Sequence, residues 1–169
     1  VVSALSAVSP RIEHAWRVLN EVPDPEVPAI SVTDLGIVRD VVDHGDALEV
    51  VVTPTYSGCP ATEAIAHDIL AALAAAGLGP ARVTQRRAPA WSTDWITPEG
   101  REKLRAYGIA PPGACAGELS PIRLMARDVA CPRCGSAQTE RLSAFGSTAC
   151  KSLYRCVACR EPFEYFKPL

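Results

Sequence analysis

The sequence predicts an α+β protein, a small mixed sheet packed with helices in the order αββαβ, followed by a C-terminal ribbon. Three observations predict it. Helical and β-branched runs alternate between Arg11 and Tyr107. A Pro- and Gly-rich break follows at Ala110-Pro111-Pro112-Gly113. Beyond it stand two cysteine pairs, Cys131-Pro132-Arg133-Cys134 and Cys156-Val157-Ala158-Cys159. The expected organisation is a first domain over residues 1–110, a linker over 111–128 and the ribbon over 129–169.

The first element is a helix from Arg11 to Glu21. Ile12, Ala15, Trp16 and Leu19 recur at helical spacing, and Pro23 stops the run. Val22-Pro23-Asp24-Pro25-Glu26-Val27-Pro28 holds three prolines, which fix the backbone and remove three donors, so a rigid loop that presents Asp24 and Glu26 is expected. Ile37 to Val42 and Ala47 to Val52 are β-branched runs joined by Asp43-His44-Gly45-Asp46, an antiparallel hairpin. After Cys59-Pro60 an Ala-rich helix runs to about Ala76 and ends at Gly77 and Gly79, with Pro60 as its first residue and Cys59 as its N-cap. A strand from Ala81 to Arg87 and a helix from Pro98 to Tyr107, closed by Gly108, complete the domain.

The cysteine pairs read C-x2-C-x21-C-x2-C. Each pair supplies two thiolates from one tight turn, and two such turns close a tetrahedral sulfur site of the kind structural zinc occupies. Cys131, Cys134, Cys156 and Cys159 are therefore expected to hold one zinc per chain. A disulfide module is the alternative, but residues two apart bridge poorly. Iron in a rubredoxin-like site would use the same four sulfurs, and the spacing leaves it open. About 40 residues bury too little core to fold alone, and zinc binding of roughly 10 to 16 kcal/mol would cover the deficit. Short strands are expected at Thr139–Leu142 and Leu153–Arg155, with Gly146 and Ser147 in the loop between them, and Phe163, Tyr165 and Phe166 packing over the sulfurs. Cys150 reads either as a small buried residue or as a thiol influenced by Lys151. Cys115 carries less information.

Composition excludes several classes. With 48% hydrophobic and 21% charged residues, the chain is neither disordered nor fibrous. Its net charge of −2 offers no global attraction to nucleic acid. From Val129 onward six basic residues face three acidic ones, a balance of +3 that leaves −5 for the rest. This asymmetry suits an acidic protein face at least as well as a phosphate backbone. The most apolar stretch, Ile65 to Leu78, contains His67 and Asp68 and is too short to span a bilayer. Val1-Val2-Ser3-Ala4-Leu5 lacks a basic leader, so a cytoplasmic address with reduced thiols is expected.

A thiol at a helix N-terminus faces unsatisfied N–H groups and the positive end of the dipole, which makes Cys59 a candidate nucleophile or iron–sulfur ligand. The alternative is a buried cysteine that only packs. A cysteine hydrolase would want a histidine beside it, yet His14, His44 and His67 fall on helix one, in the hairpin turn and inside the Cys59 helix, none of them placed as a general base. Trp91 and Trp95 flank a Ser-Thr-Asp turn and either close the core beside Tyr107 or form an exposed aromatic patch.

The runs Asp24-Pro25-Glu26-Val27-Pro28, Thr33-Asp34-Leu35-Gly36-Ile37-Val38 and Thr53-Pro54-Thr55-Tyr56-Ser57-Gly58-Cys59-Pro60 resemble the SufT-like domain of iron–sulfur assembly factors. That resemblance covers about residues 11 to 110. Adding Ala88 to Ile96, Gly100 to Leu104, Phe145-Gly146-Ser147-Thr148-Ala149-Cys150-Lys151 and Cys159-Arg160-Glu161-Pro162-Phe163, the whole chain resembles the PaaD family, the D subunits of bacterial phenylacetyl-CoA epoxidase systems.

The resemblance implies a non-catalytic accessory protein of aerobic phenylacetate degradation that assembles an iron–sulfur cluster or inserts it into the epoxidase reductase. By it, Cys59 binds a transient cluster or a partner and Asp34 orders its loop. The Asp34 turn also reads as an Asx-type turn without a chemical part. Implied partners are the other epoxidase subunits, the iron–sulfur reductase above all, with no nucleic acid and no membrane; a homodimer stays open. Two other readings stand beside it: a purely structural docking subunit of the epoxidase complex, and a rubredoxin-like electron carrier.

Overall fold

The computed structural model describes residues 9–56, 58–113 and 129–169. Cys115, residues 114–128 of the expected linker and the apolar opening at Val1–Leu5 lie outside the described residues. The chain divides into two compact units, Val1–Pro89 and Ala90–Leu169.

The N-terminal unit begins with α1, Pro10–Asn20, whose N-cap Ser9 accepts the Arg11 N–H and whose first residue is a proline that has no N–H to leave orphaned. Ala15 and Leu19 lie on its buried face. Strands β1 (Val38–Asp43) and β2 (Leu48–Val52) form the expected antiparallel hairpin, with Val41 opposite Val50 and a bulge between Val38 and Asp40. The chain then crosses through α2, Ala61–Ala75, to β3, Ala81–Gln85, which lies parallel to β2 with Val83 opposite Val50. The sheet order β1-β2-β3 is thus mixed. One sheet face carries Leu48, Val50 and Val52, and these are buried with Leu19, Ile30, Ile69 and Leu73. Each such side chain contributes on the order of 1.5–3 kcal/mol of burial.

The proline loop departs from expectation. Asp24 is not presented to solvent: it is buried, and its Oδ1 accepts the N–H groups of Glu26 and Val27 at 3.0 and 2.8 Å. Three prolines leave few donors in this loop, and Asp24 satisfies two that remain.

In the C-terminal unit a 3-10 turn at Thr93–Trp95 leads to α3, Pro98–Tyr107. Thr97 caps α3 by accepting the Gly100 N–H at 2.9 Å, and Gly108 ends it in the left-handed conformation at φ 97°. Strand β4, Ile109–Ala110, runs parallel to β7, Pro162–Phe166, while β5, Thr139–Ser143, and β6, Lys151–Cys156, complete an order β4-β7-β6-β5. Residues 90–110, expected in the first domain, therefore pack with the ribbon. The reason is local: β4 pairs with β7, and the Trp91 ring meets Phe166 with centroids 6.0 Å apart. Trp91 is buried in the core, as one of the two readings expected, while Tyr107 is 58% exposed. Among the described residues no helix is long and apolar enough to cross a membrane.

Candidate metal centre and loop thiol

The two cysteine turns have the same backbone. In the first, the Cys131 N–H donates to the Ser136 carbonyl at 2.9 Å; in the second, the Cys156 N–H donates to Glu161 at 3.0 Å. Gly135 and Arg160, each four residues after the leading cysteine, both take positive φ. Two like turns therefore bring four sulfurs together, all within 4.8 Å of one another. The Sγ atoms of Cys131 and Cys159 are 3.7 Å apart, and those of Cys134 and Cys156 3.5 Å. A disulfide needs about 2.05 Å. Four thiolates at about 2.3 Å from a tetrahedral zinc would stand roughly 3.8 Å from each other, and the observed spacings fit that donor set.

Cys131 and Cys156 are buried beneath Tyr154, Phe163 and Tyr165, while Cys134 and Cys159 lie at the surface. Phe163 and Tyr165 cover the sulfurs as expected; Phe166 turns to Trp91 instead. Crowded thiols do not share their protons evenly. The Cys159 N–H points at the Cys156 sulfur at 3.5 Å and, against burial, draws that thiol down to about 7. The Glu161 N–H works the same way on Cys159, but burial and the neighbouring sulfurs prevail and push it up to about 12. A set that resists full ionisation by itself is one that a divalent cation completes.

Cys150 is buried, with its sulfur 3.0 Å from Thr148 Oγ1, and stands outside the four-sulfur set. Beside it, Lys151 is buried and pairs with Glu164 at 3.0 Å. The sequence reading missed this ion pair, because its partners lie 13 residues apart and meet only through the β6–β7 register, Lys151 opposite Phe166 and Leu153 opposite Glu164.

Asp34 and Cys59 belong to two loops at one end of the N-terminal sheet. The segment entering β1 and the segment leaving β2 start from the paired residues Val38 and Val52, and the Thr53 N–H donates to the Ile37 carbonyl at 2.9 Å. The Asp34 loop is a single capped turn. Ser31 Oγ accepts the Asp34 N–H at 3.0 Å, Asp34 Oδ2 accepts the Ser31 N–H at 3.3 Å, and the two reciprocal bonds form a capping box. At the other end the Ile37 N–H reaches the Val32 carbonyl and the Gly36 N–H reaches Thr33, a Schellman closure that needs the positive φ of 69° at Gly36. The buried Asp34 thus closes its own loop through a capping box with Ser31. Its signal, Ser31-x-x-Asp34-x-Gly36, is readable in the sequence.

Cys59 is half-buried and does not cap α2. The helix begins at Ala61 with Pro60 in the cap position and no side-chain cap. Thr62 turns both its N–H and its hydroxyl to the Cys59 carbonyl, at 3.2 and 2.8 Å, so the backbone of Cys59 satisfies the helix end and its thiol is left out of the capping. Proline in the cap position displaces the thiol one residue from where the sequence reading put it.

Known proteins share both halves of this arrangement. Residues 12–84 match the family described as iron–sulfur cluster assembly protein, and residues 121–167 match the PaaD zinc beta ribbon domain. The chain is 49% identical over 160 residues, 94% of its length and 93% of the relative's, to a protein of Escherichia coli K12 described as a putative 1,2-phenylacetyl-CoA epoxidase D subunit. A crystal structure of a domain of unknown function, DUF59, from Bacillus anthracis is similar at 25% identity with a TM-score of 0.52, over 56% of this chain and 91% of that one.

Proposed function

The chain belongs to the family of phenylacetyl-CoA epoxidase D subunits, and on that premise we propose that it is a non-catalytic accessory protein of the phenylacetyl-CoA 1,2-epoxidase system. In aerobic phenylacetate degradation it assembles an iron–sulfur cluster or inserts it into the reductase component, in the cytoplasm. The observation that carries this reading is the pair of loops at one sheet end, one holding the half-buried Cys59 thiol and the other a turn locked by Asp34, inside a unit that matches iron–sulfur cluster assembly proteins.

In this role Cys59 takes iron or a cluster as cargo, since thiolate is a soft ligand suited to it. Release is ligand exchange without redox change: a client thiolate replaces Cys59 at iron, and Cys59 leaves as thiolate and regains a proton. Cys131, Cys134, Cys156 and Cys159 hold zinc, which cross-links the ribbon and takes no part in the exchange.

The test is zinc, iron and acid-labile sulfide per chain on protein purified without oxygen, native and Cys59→Ser, with the cluster content of reductase made in cells carrying each. Zinc near one per chain in both, and iron and sulfide only with Cys59 intact, is expected, together with cluster-poor reductase in the variant. Zinc alone in both proteins and a fully loaded reductase would overturn the cluster role. Iron on the ribbon cysteines, with protein that bleaches on reduction, would assign the chain to electron transfer.

A further inference from the structure

The segment Phe145–Lys151 is not used by the proposed cluster chemistry, yet it is tightly built. The Phe145 N–H is held by Ser143 Oγ at 3.2 Å. Glu164 Oε1 accepts the Ser147 N–H at 2.5 Å, and its other oxygen pairs with the buried Lys151. A Cβ at Gly146 would come 2.5 Å from Glu164 Oε1, so any larger residue there would push the Glu164 carboxylate from its place. Burying an ion pair costs desolvation, so this latch is an expensive way to hold a surface loop. What it holds outward is a Phe145 side chain 65% exposed.

Leu142 stands close by in the chain and is also forced out. Arg141 pairs with Tyr154 and Ser143 with Leu153, so Leu142 is the extra residue of a bulge and is 51% exposed. Lys167 lies over the Phe145 ring, 4.6 Å from its centroid, and donates to the Ala144 carbonyl. Among the described residues neither Lys167 nor the exposed Arg141 is paired with a carboxylate.

We propose that Leu142 and Phe145, flanked by Arg141 and Lys167, form a preorganised docking surface for a protein face that carries an apolar recess rimmed by carboxylates, on another component of the epoxidase system. This rests on the accessory role argued above. A rigid aromatic with two unpaired cations supplies what interface centres use: a large apolar anchor ordered before binding, and charges that steer and orient the partner. Strand addition is disfavoured although β5 is an edge strand, since the bulge and the exposed Arg141 interrupt its ladder. A second copy fits less well. Patch against patch would oppose like charges, and patch against the acidic N-terminal unit of another copy would be a head-to-tail contact, which builds rings or filaments and not a simple pair.

The test measures affinity of the full zinc-loaded chain for the purified reductase and oxygenase components of the epoxidase, each in turn, at two salt concentrations. Native protein, Phe145→Ala, Leu142→Ala and the double variant Arg141→Glu/Lys167→Glu are compared, with zinc content and circular dichroism to verify folding. At least a tenfold loss with Phe145→Ala, a smaller loss with Leu142→Ala, and a charge variant that is weaker and less salt-dependent are expected. Native binding that the patch variants leave unchanged would overturn the docking surface and leave the accessory role standing. Native protein that binds neither component would overturn both. A self-association abolished by Phe145→Ala would make the occupant a second copy and overturn the assignment.

Discussion

Gly135 and Arg160 occupy the same place in two copies of one turn, each four residues after a leading cysteine, with φ of 74° and 65°. Only the first is a residue suited to that conformation. A left-handed L-residue costs roughly 1–2 kcal/mol, part of which a glycine returns as unfolded-state entropy. Arg160→Gly should therefore stabilise the ribbon by about 0.5–1 kcal/mol. Gly135→Ala should destabilise it by about 1 kcal/mol through the backbone alone, because nothing lies within 4 Å of the added Cβ. Chelator competition for zinc and urea unfolding of the C-terminal unit report both, in opposite directions.

Metal removal should unfold more than the ribbon. Cys156 is fully buried in a cluster with Ala110, Val129 and Tyr165, and Ala110 belongs to β4, which follows α3 directly. Loss of the sulfur site then removes β7 as a partner for β4, and α3 loses its support. Chelator or Cys156→Ser is expected to abolish the helical signal of residues 98–107 along with the sheet, while the N-terminal unit keeps its own transition. Hydrogen exchange by residue measures this; protection of α3 that survives metal removal would contradict it.

The capping box at Asp34 predicts a coupling. Asp34→Ala removes the acceptor of the Ser31 N–H and Ser31→Ala the acceptor of the Asp34 N–H, one bond of the reciprocal pair each, and each should cost about 1–2 kcal/mol. The double variant should cost clearly less than the two together, because either change already breaks the box. Urea denaturation of the four proteins closes the cycle, and strict additivity would show that the two residues act separately.

Much of this was legible in the chain. The β-branched hairpin, the alanine helix and the four sulfurs follow from periodicity and spacing, which are local signals. The part of α3 and β4 was not, because a two-residue strand such as Ile109–Ala110 has no pattern of its own and exists only through its parallel partner, more than 50 residues on. Pro111-Pro112-Gly113 looked like the start of a linker, but the preceding residues already belonged to the second unit. The ribbon sulfurs were found because two thiols per turn is a strong signal; the position of Cys59 was misjudged by one residue because proline is accepted both at the cap and just after it. Asp24 was read as displayed when its carboxylate closes its own loop, an outcome that depends on where the neighbouring N–H groups point and not on composition.

Acid should expose the role of a polar network on the outer sheet face. Glu49 receives His44 at 2.7 Å, Arg82 at 2.7 Å and the Thr84 hydroxyl at 2.9 Å, and these lower its carboxyl from the ordinary 4.5 to about 2, the His44 bond contributing most. A carboxyl lowered on folding contributes stability that is present above its unfolded pKa and lost as pH falls through the folded value. Native protein should accordingly be more stable than Glu49→Gln at pH 7, and the difference should shrink between about pH 5 and pH 2. Because the groups are near the surface, added salt should reduce the difference at neutral pH as well. Zinc is lost from both proteins in acid, so the comparison of their N-terminal transitions isolates Glu49. A difference that stays constant down to pH 2 would mean that Glu49 works through packing and not through its charge.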